Sequence, residues 1–455
     1  MLGMARSRSS FSPRRLPMGV WLVVLLAAWP LVVLAAGGNL GVQAAAAGKA
    51  PSQPTKQLIL ATYGDSSDID KWDDVLKGFT ARYPEYTVKV EETVFDQYPS
   101  KIVTQIATGN APDVFLTWAQ YKPKWVTEGL LLDVTDRWEK SEILTGTKFY
   151  PAAVDSVRYR GRLYGVPYDF NSMVWFVNRT LLEEAGVPVP PDNWTVEEMR
   201  TVSRKTLDPV KGINGPGIPI DWGWGPNIQW YHNWTGHEWL DETRTKVLVN
   251  DPKAIDMFNW FLKARQDLTL PPGKAKGDFF AGFQSMWEGW FSYMNLIWDA
   301  FKKARGSNPL DFTLKPYPAG PSGQHNFAQG HMWAIAATCK RPDDAWKLAE
   351  WLAGPEGQAA LNRHKIAPPV ILDEQLWRSY LDFLPESKQR EVVAFVHLKL
   401  YGGTGYARNF QYWPTFAEMN DIMIKHIQAI FQMGKSPANE LTMAQEELEA
   451  ILRKK

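Results

Sequence analysis

The chain has 455 residues, with 50 basic and 49 acidic side chains, a formal net charge of +1 and 45% hydrophobic content. That balance describes a globular protein and excludes a disordered chain, a fibre and an electrostatic footprint for nucleic acid. A single cysteine, Cys339, excludes a disulfide framework and a multi-cysteine metal site, and the seven histidines show no ligand spacing, so no metal or cofactor is expected.

The N-terminus reads as a leader. Arg6, Arg8, Arg14 and Arg15 precede an apolar stretch at residues 20–36, followed by the small residues VQAAAAGKA. This is the order of an export signal, with cleavage expected near residues 44–47. Residues 1–47 are therefore assigned to a signal peptide and 48–56 to a linker; an uncleaved anchor is the alternative. No cysteine follows the apolar stretch, which excludes lipidation there.

QLILATYG (57–64) predicts a buried strand ending at a glycine turn. Residues 70–82 carry Trp72, Val75, Leu76 and Phe79 at helical spacing, and Val88 and Val90 alternate in a second strand. A helix over 99–108 stops at Gly109-Asn110, and APDVFLTW (111–118) is a third strand. The β-α-β-α-β order predicts a parallel sheet covered by helices, with ligands beyond the carboxyl ends of its strands. Tyr63, Gly64 and Asp65 after the first strand, and Trp118, Gln120 and Tyr121 after the third, are the first candidates for a site.

YGVPYDF (164–170) is extended because Pro167 disfavours helix just before it, and MVWFV continues as strand. Thr195 and Glu198 form a capping box for the next helix. Residues 212–240 are rich in Gly, Pro and Trp, which places Trp222 and Trp224 in an exposed loop. Helix returns at 252–266, DFTLKPYP (311–318) is a strand, and residues 341–361 form a helix pair broken at Gly354-Pro355. The last hundred residues read mostly helical. The chain holds 22 tryptophans, most of which must fill a core while a minority can line a cleft.

Several motifs occur in order: TYGD, the turn-strand YPEYTVKV, IATGNAPDVF, LYGVPYDFNSMVWFVNRTLLEEAGV, FAGFQSMWEGW and AWKLAEWLAGPEGQAAL. Their succession over residues 57–370 resembles family 1 of the extracellular solute-binding proteins of ABC importers, the group that includes the maltodextrin-binding proteins. The resemblance implies an α/β, two-lobe periplasmic-binding-protein (Venus flytrap) fold of type II, each lobe a mostly parallel sheet flanked by helices. It divides the chain into lobe 1 (57–167 and 315–369) and lobe 2 (168–314 and 370–455), with crossings near 166–171, 311–318 and 368–370. It further implies an exported monomeric receptor, periplasmic or at the cell surface, that binds a carbohydrate and delivers it to membrane permease subunits. It implies no enzymatic activity and no nucleic acid partner.

The resemblance also marks ligand contacts. Asp65 and Trp118 fall where the family touches sugar; Gln120 replaces an acidic residue of the maltodextrin binders, and Asn171 one of their carboxylates. Asp169 beside Asn171 suits paired bonding to vicinal hydroxyls. Gly330 and His331 begin the strand HMWAIA, and Tyr401 to Arg408 forms a second Gly-rich aromatic loop. In SMWEGW, Trp290 is the expected stacking platform, with Trp287 and Glu288 as secondary contacts. Phe291, Met294, Ile297 and Trp298 follow at helical spacing and are expected in the core. Two other readings are a binder of a different polar solute, such as a glycerophosphodiester with Lys122 and Arg408 facing phosphate, and a secreted carbohydrate-active enzyme using Glu288 and Asp169.

Overall fold

In the computed structural model the run at 57–63 becomes strand β1 (Lys56–Tyr63), and the two strands expected next become β2 (Tyr86–Thr93) and β3 (Val114–Thr117). The structure describes residues 56–64, 69–216, 224–266, 275–304, 310–396, 401 and 407–454, all within the unit Pro51–Lys455. β1 lies between β2 and β3 and pairs with both in parallel. The helices Ile69–Arg82 and Tyr98–Ala107 make the crossovers. Asp113 explains why GNAPDVF enters β3 as it does. Its carboxylate accepts the Ile59 amide at 2.7 Å and a two-pronged bond from the Arg341 guanidinium at 2.6 and 2.7 Å, locking β3 to β1 and to the helix Pro342–Ala353.

A two-residue hairpin, β4 (Arg158–Tyr159) and β5 (Arg162–Leu163), leads into the thirteen-residue β6 (Val166–Asn178). Every residue of β6 is buried. Val174 and Phe176 face one core; Met173, Trp175 and Val177 face the other. Period-2 alternation between two apolar layers is what a strand covered on both faces requires. Val166–Ser172 pairs with β9 (Asn326–Ala334), while the far half pairs with β7 (Met286–Trp290) and β8 (Phe312–Lys315). A short β10 (Ala407–Asn409) adds to β9.

Two expectations change here. Parallel pairing holds for β1, β2 and β3 and for β10 with β9, but β6 is antiparallel to β7, β8 and β9. The second lobe's sheet is therefore built on antiparallel ladders. The second extended link is β9 rather than 311–318: β8 stays with the Trp175–Asn178 end of β6, and β9 runs from β10 past β6 to β3.

The capping box is present, with the Thr195 hydroxyl accepting from the Glu198 amide and the Glu198 carboxylate accepting from the Thr195 amide. Trp224–Thr235, read from the sequence as loop, is a helix. Ile228, Gln229, Trp230, Tyr231, Asn233 and Trp234 are all buried, so no polar stripe exposes its period. Most tryptophans go to the core; Trp175, Trp194, Trp230, Trp333 and Trp377 are wholly enclosed. Among the described residues no helix is long and apolar enough to cross a membrane.

Trp175 meets Trp194, Trp230 and Tyr317 edge-on at 5.7 to 6.2 Å. Replacing it by alanine leaves a cavity no neighbour can fill, and Trp175→Ala is expected to cost about 3–5 kcal/mol in urea unfolding.

Candidate functional site

The parallel order β2-β1-β3 places three carboxyl ends side by side. Tyr63 ends β1, Phe95 follows β2 and Trp118 follows β3. Tyr63 meets Trp118 at 5.2 Å and Phe95 at 5.3 Å, both edge-on, while Phe95 stacks on Trp118 at 4.2 Å. Trp118, a ligand contact expected from the resemblance, is therefore covered and only 4% exposed, whereas Phe95 presents its ring at 53%. Sequence reasoning missed Phe95 because it lies in a short 3-10 turn with no motif around it. Beneath these rings, Trp118 Nε1, Thr117 Oγ1 and the half-buried Gln120 Oε1 have no hydrogen-bond partner among the described residues. Buried polar atoms of this kind are costly unless something external satisfies them.

Residues of the second lobe stand opposite. Burial first, and then the charge of Asp169 and the nearness of Tyr293, push the Tyr63 phenol up; burial and then Asp421 push up Tyr121. Lys122 does not join this face. Its ammonium is buried and donates to the carbonyls of Ser156 and, at 2.8 Å, Arg158. Burial pulls its pKa down to about 7 against the pull of Asp155. The expected role of Lys122 in phosphate binding is corrected: the side chain ties the start of the helix Lys122–Thr127 to Ser156 and to β4.

The β6–β9 ladder forms the floor. Asp169 faces His331 in register. Its Oδ1 accepts from the His331 amide at 2.9 Å and lies 2.7 Å from Nδ1. Gln329 Nε2 reaches His331 Nε2 at 3.4 Å, and the Tyr412 hydroxyl donates to Gln329 Oε1 at 2.6 Å. Asn171 bonds Ser292 Oγ at 2.9 Å, and the Tyr401 hydroxyl donates to the Phe170 carbonyl at 2.9 Å. Gly330 is required to be small, since a Cβ there would run into Ser156. Asp169, Asn171, Gly330, His331 and Tyr401 thus gather on one floor.

The SMWEGW residues are placed differently from expectation. Glu288 and Gly289 lie within β7, not in a turn leaving it, and pair with Trp175 and Val174. Trp287 stacks on Phe176 and Phe279 at 5.7 and 5.9 Å and is 5% exposed, so it is core. Its ring lies over Gly289, where a Cβ would collide with it. Glu288 is 1% exposed and accepts from Trp230 Nε1 at 3.0 Å inside the second lobe's core. Trp287 and Glu288, expected as secondary contacts, are both enclosed: the alternation of β7 sends each into a core. Trp290, at the end of β7, is half-buried with its ring edge-on to Phe327 at 5.9 Å. Phe291, Met294 and Ile297 are fully buried, and Trp298 is half-buried against Phe312. Asp65 and Trp222 lie outside the described residues. Trp224 is the first residue of the helix Trp224–Thr235 and Arg408 lies in β10, with both side chains outside the described set.

A cavity of about 580 Å³, lined by none of the residues expected from the sequence, opens between the β4–β5 hairpin and the segments around Arg244 and Trp413. Tyr412 lines it and connects it through Gln329 to the floor.

The family model of the bacterial extracellular solute-binding proteins matches residues 63–359. The diacetylchitobiose-binding protein of Streptomyces coelicolor is 25% identical over 301 residues, 61% of this chain and 65% of that one. Among solved structures, an ABC substrate-binding protein of Listeria monocytogenes in complex with cycloalternan aligns with a TM-score of 0.74 at 17% identity, over 88% of this chain and 99% of that one. A solute-binding protein of Thermotoga lettingae bound to α-D-tagatose aligns with a TM-score of 0.70 at 19% identity, over 87% and 100%. These likenesses establish the two-lobe type II fold.

Burial raises the Glu288 pKa to about 8, against the pull of its bonds from Trp230 and Tyr317. The folded protein thus holds a proton that the unfolded chain releases near the ordinary 4.5. The stability this group contributes is full below about pH 4.5 and is lost as pH rises towards 8. Glu288→Gln, which keeps an acceptor for Trp230, is expected to raise the melting temperature by roughly 5 °C at pH 8.5 and by little at pH 4.5. Differential scanning calorimetry at the two pH values checks it.

Proposed function

The chain belongs to the bacterial extracellular solute-binding proteins, and on that premise we propose that it is an exported receptor that captures a carbohydrate between its lobes and hands it to the permease of an ABC importer. The observation that carries the reading is the wall at the carboxyl ends of β1, β2 and β3. An exposed Phe95 ring stands there beside buried polar atoms of Thr117, Trp118 and Gln120 that have no partner among the described residues. A sugar offers both things this wall lacks: an apolar ring face for Phe95 and hydroxyls that donate and accept. Asp169, Asn171 and His331 on the floor supply further hydroxyl partners, with Trp290 at the end of β7 on the other side.

On this reading residues 1–47 direct export and are removed, and the mature protein works as a monomer outside the membrane. With β9 as the second link, lobe 1 comprises 57–167 and the chain from β9 to 369, and lobe 2 comprises 168 to the start of β9 and 370–455. Binding proceeds without turnover. Glu288 lies in the core and Asp169 is engaged by His331, which supports a receptor rather than a hydrolase needing two carboxyls across a scissile bond. Hinge closure about β6 and β9 would desolvate the sugar and present a new surface to the permease.

Calorimetric titration with a panel of mono- and oligosaccharides tests the reading. At least one sugar is expected to bind and to raise the melting temperature in proportion to the logarithm of its concentration. Phe95→Ala, Gln120→Ala and Trp290→Ala are each expected to weaken it about tenfold, or about 1.4 kcal/mol. Phe95→Ala, at a largely exposed position, should leave apo stability near wild type. No binding of any sugar at millimolar concentration sinks the reading.

A further inference from the structure

The cavity beside the β4–β5 hairpin carries an excess of positive charge in a chain whose net charge is only +1. Arg158, Arg160 and Arg244 line it, against the single carboxylate Asp155. Arg244 is partly spent on Glu238, at 2.5 Å, and Arg158 lies 3.8 Å from Asp155. Arg160 is exposed, with its guanidinium over the Tyr159 ring at 5.4 Å; that of Arg244 lies over Trp413 at 4.8 Å. These rings hold the guanidinium planes in place and lower the cost of ordering them when an anion arrives.

The backbone adds an independent observation. Among the described residues three non-glycines adopt positive φ: Arg160 at 47°, Arg244 at 60° and Lys365 at 59°. Two of the three line this one cavity. Arg160 precedes Gly161, also at positive φ, at the tip of the hairpin, where asparagine or aspartate is the favoured neighbour of glycine. An arginine there is held in a backbone conformation that its Cβ disfavours. Strain of this kind persists where the side chain is needed for something else.

Resting on the reading of a carbohydrate receptor, we propose that the cavity selects a saccharide bearing an oxyanion, a uronate carboxylate or a sugar phosphate, held by Arg158, Arg160 and Arg244. The planar guanidinium fork matches both anions in two-pronged geometry. A volume of about 580 Å³ suits a short saccharide rather than a bare ion.

The full chain without its leader is titrated at low and high salt with three groups of probes. These are triuronates (galacturonate, glucuronate, mannuronate and guluronate), their carboxyl-reduced counterparts, and hexose phosphates with the parent hexoses. An oxyanion probe is expected to bind at least tenfold more tightly than its neutral counterpart, with the preference shrinking at high salt. Whether uronate or phosphate shows it identifies the anion's source. Arg160→Asn is the decisive variant. It relieves the positive-φ strain and so should raise the melting temperature of the free protein, yet it should cost about tenfold in affinity for the oxyanion probe and nothing for the neutral one. Arg244→Gln should act in the same direction on affinity. Equal binding of charged and neutral probes, or an Arg160→Asn protein with unchanged preference, overturns the inference while leaving the carbohydrate reading intact. Binding of no saccharide of either kind overturns both.

Discussion

The ladder between β6 and β9 is the constraint on which the rest of the structure depends. β6 is buried along all thirteen residues, so its register decides which side chains enter which core. A slip of one residue would exchange Trp175 with Phe176 and Val174 and turn every packed face over. Register is pinned at the middle by polar chemistry. Asp169 sits opposite His331 and bonds both its amide and its ring, and an irregularity between Pro167 and Asp169 absorbs the proline that cannot donate to the ladder. Gly330, opposite Phe170, lets Ser156 pack against the strand. The same short stretch therefore fixes the register of both cores and forms the floor of the candidate site.

Three buried ionisable groups near this ladder are stabilised in three ways. Asp169 stays among hydrogen-bond donors, and its charge contributes, after burial itself, to raising the phenols of Tyr63, Tyr380 and Tyr401. Lys122 spends its ammonium on two backbone carbonyls and is poised to lose its proton near neutrality. Glu288 is enclosed by aromatic rings and keeps its proton instead. Each outcome follows from the same competition: a charge leaves water only if fixed dipoles or an opposite charge replace the hydration it loses.

The polar chain from Asp169 through His331 and Gln329 to Tyr412 joins the hinge floor to the arginine-lined cavity. With Asp169 accepting from His331 Nδ1–H, Nε2 is free to accept from the Gln329 amide, whose oxygen takes the Tyr412 hydroxyl. Every donor in that chain meets an acceptor in one consistent direction.

Much of this was legible in the residues themselves. The β-α-β-α-β order, the capping box at Thr195 and the break at Gly354-Pro355 follow from local spacing and turn chemistry, which need no tertiary partner. The ordered motifs carried the family, and the rule that ligands gather at carboxyl ends of parallel strands led to Tyr63 and Trp118. What lay beyond the sequence was facing and depth. Trp287, Glu288 and Trp290 are neighbours in an aromatic run, and only their pairing with β6 turned the first two inward. Phe95 became the exposed ring because Trp118 is covered by it, a relation between residues 23 positions apart. The helix Trp224–Thr235 was hidden because packing on every side erased its periodicity. The arginines of the cavity come from segments far apart in the chain, brought together by contacts that local pattern does not encode. Sequence determined which elements form and which family they compose, because those depend on short-range chemistry. The tertiary structure decided which side chains are enclosed and which are left open at the candidate site, because that depends on what each strand and loop is packed against.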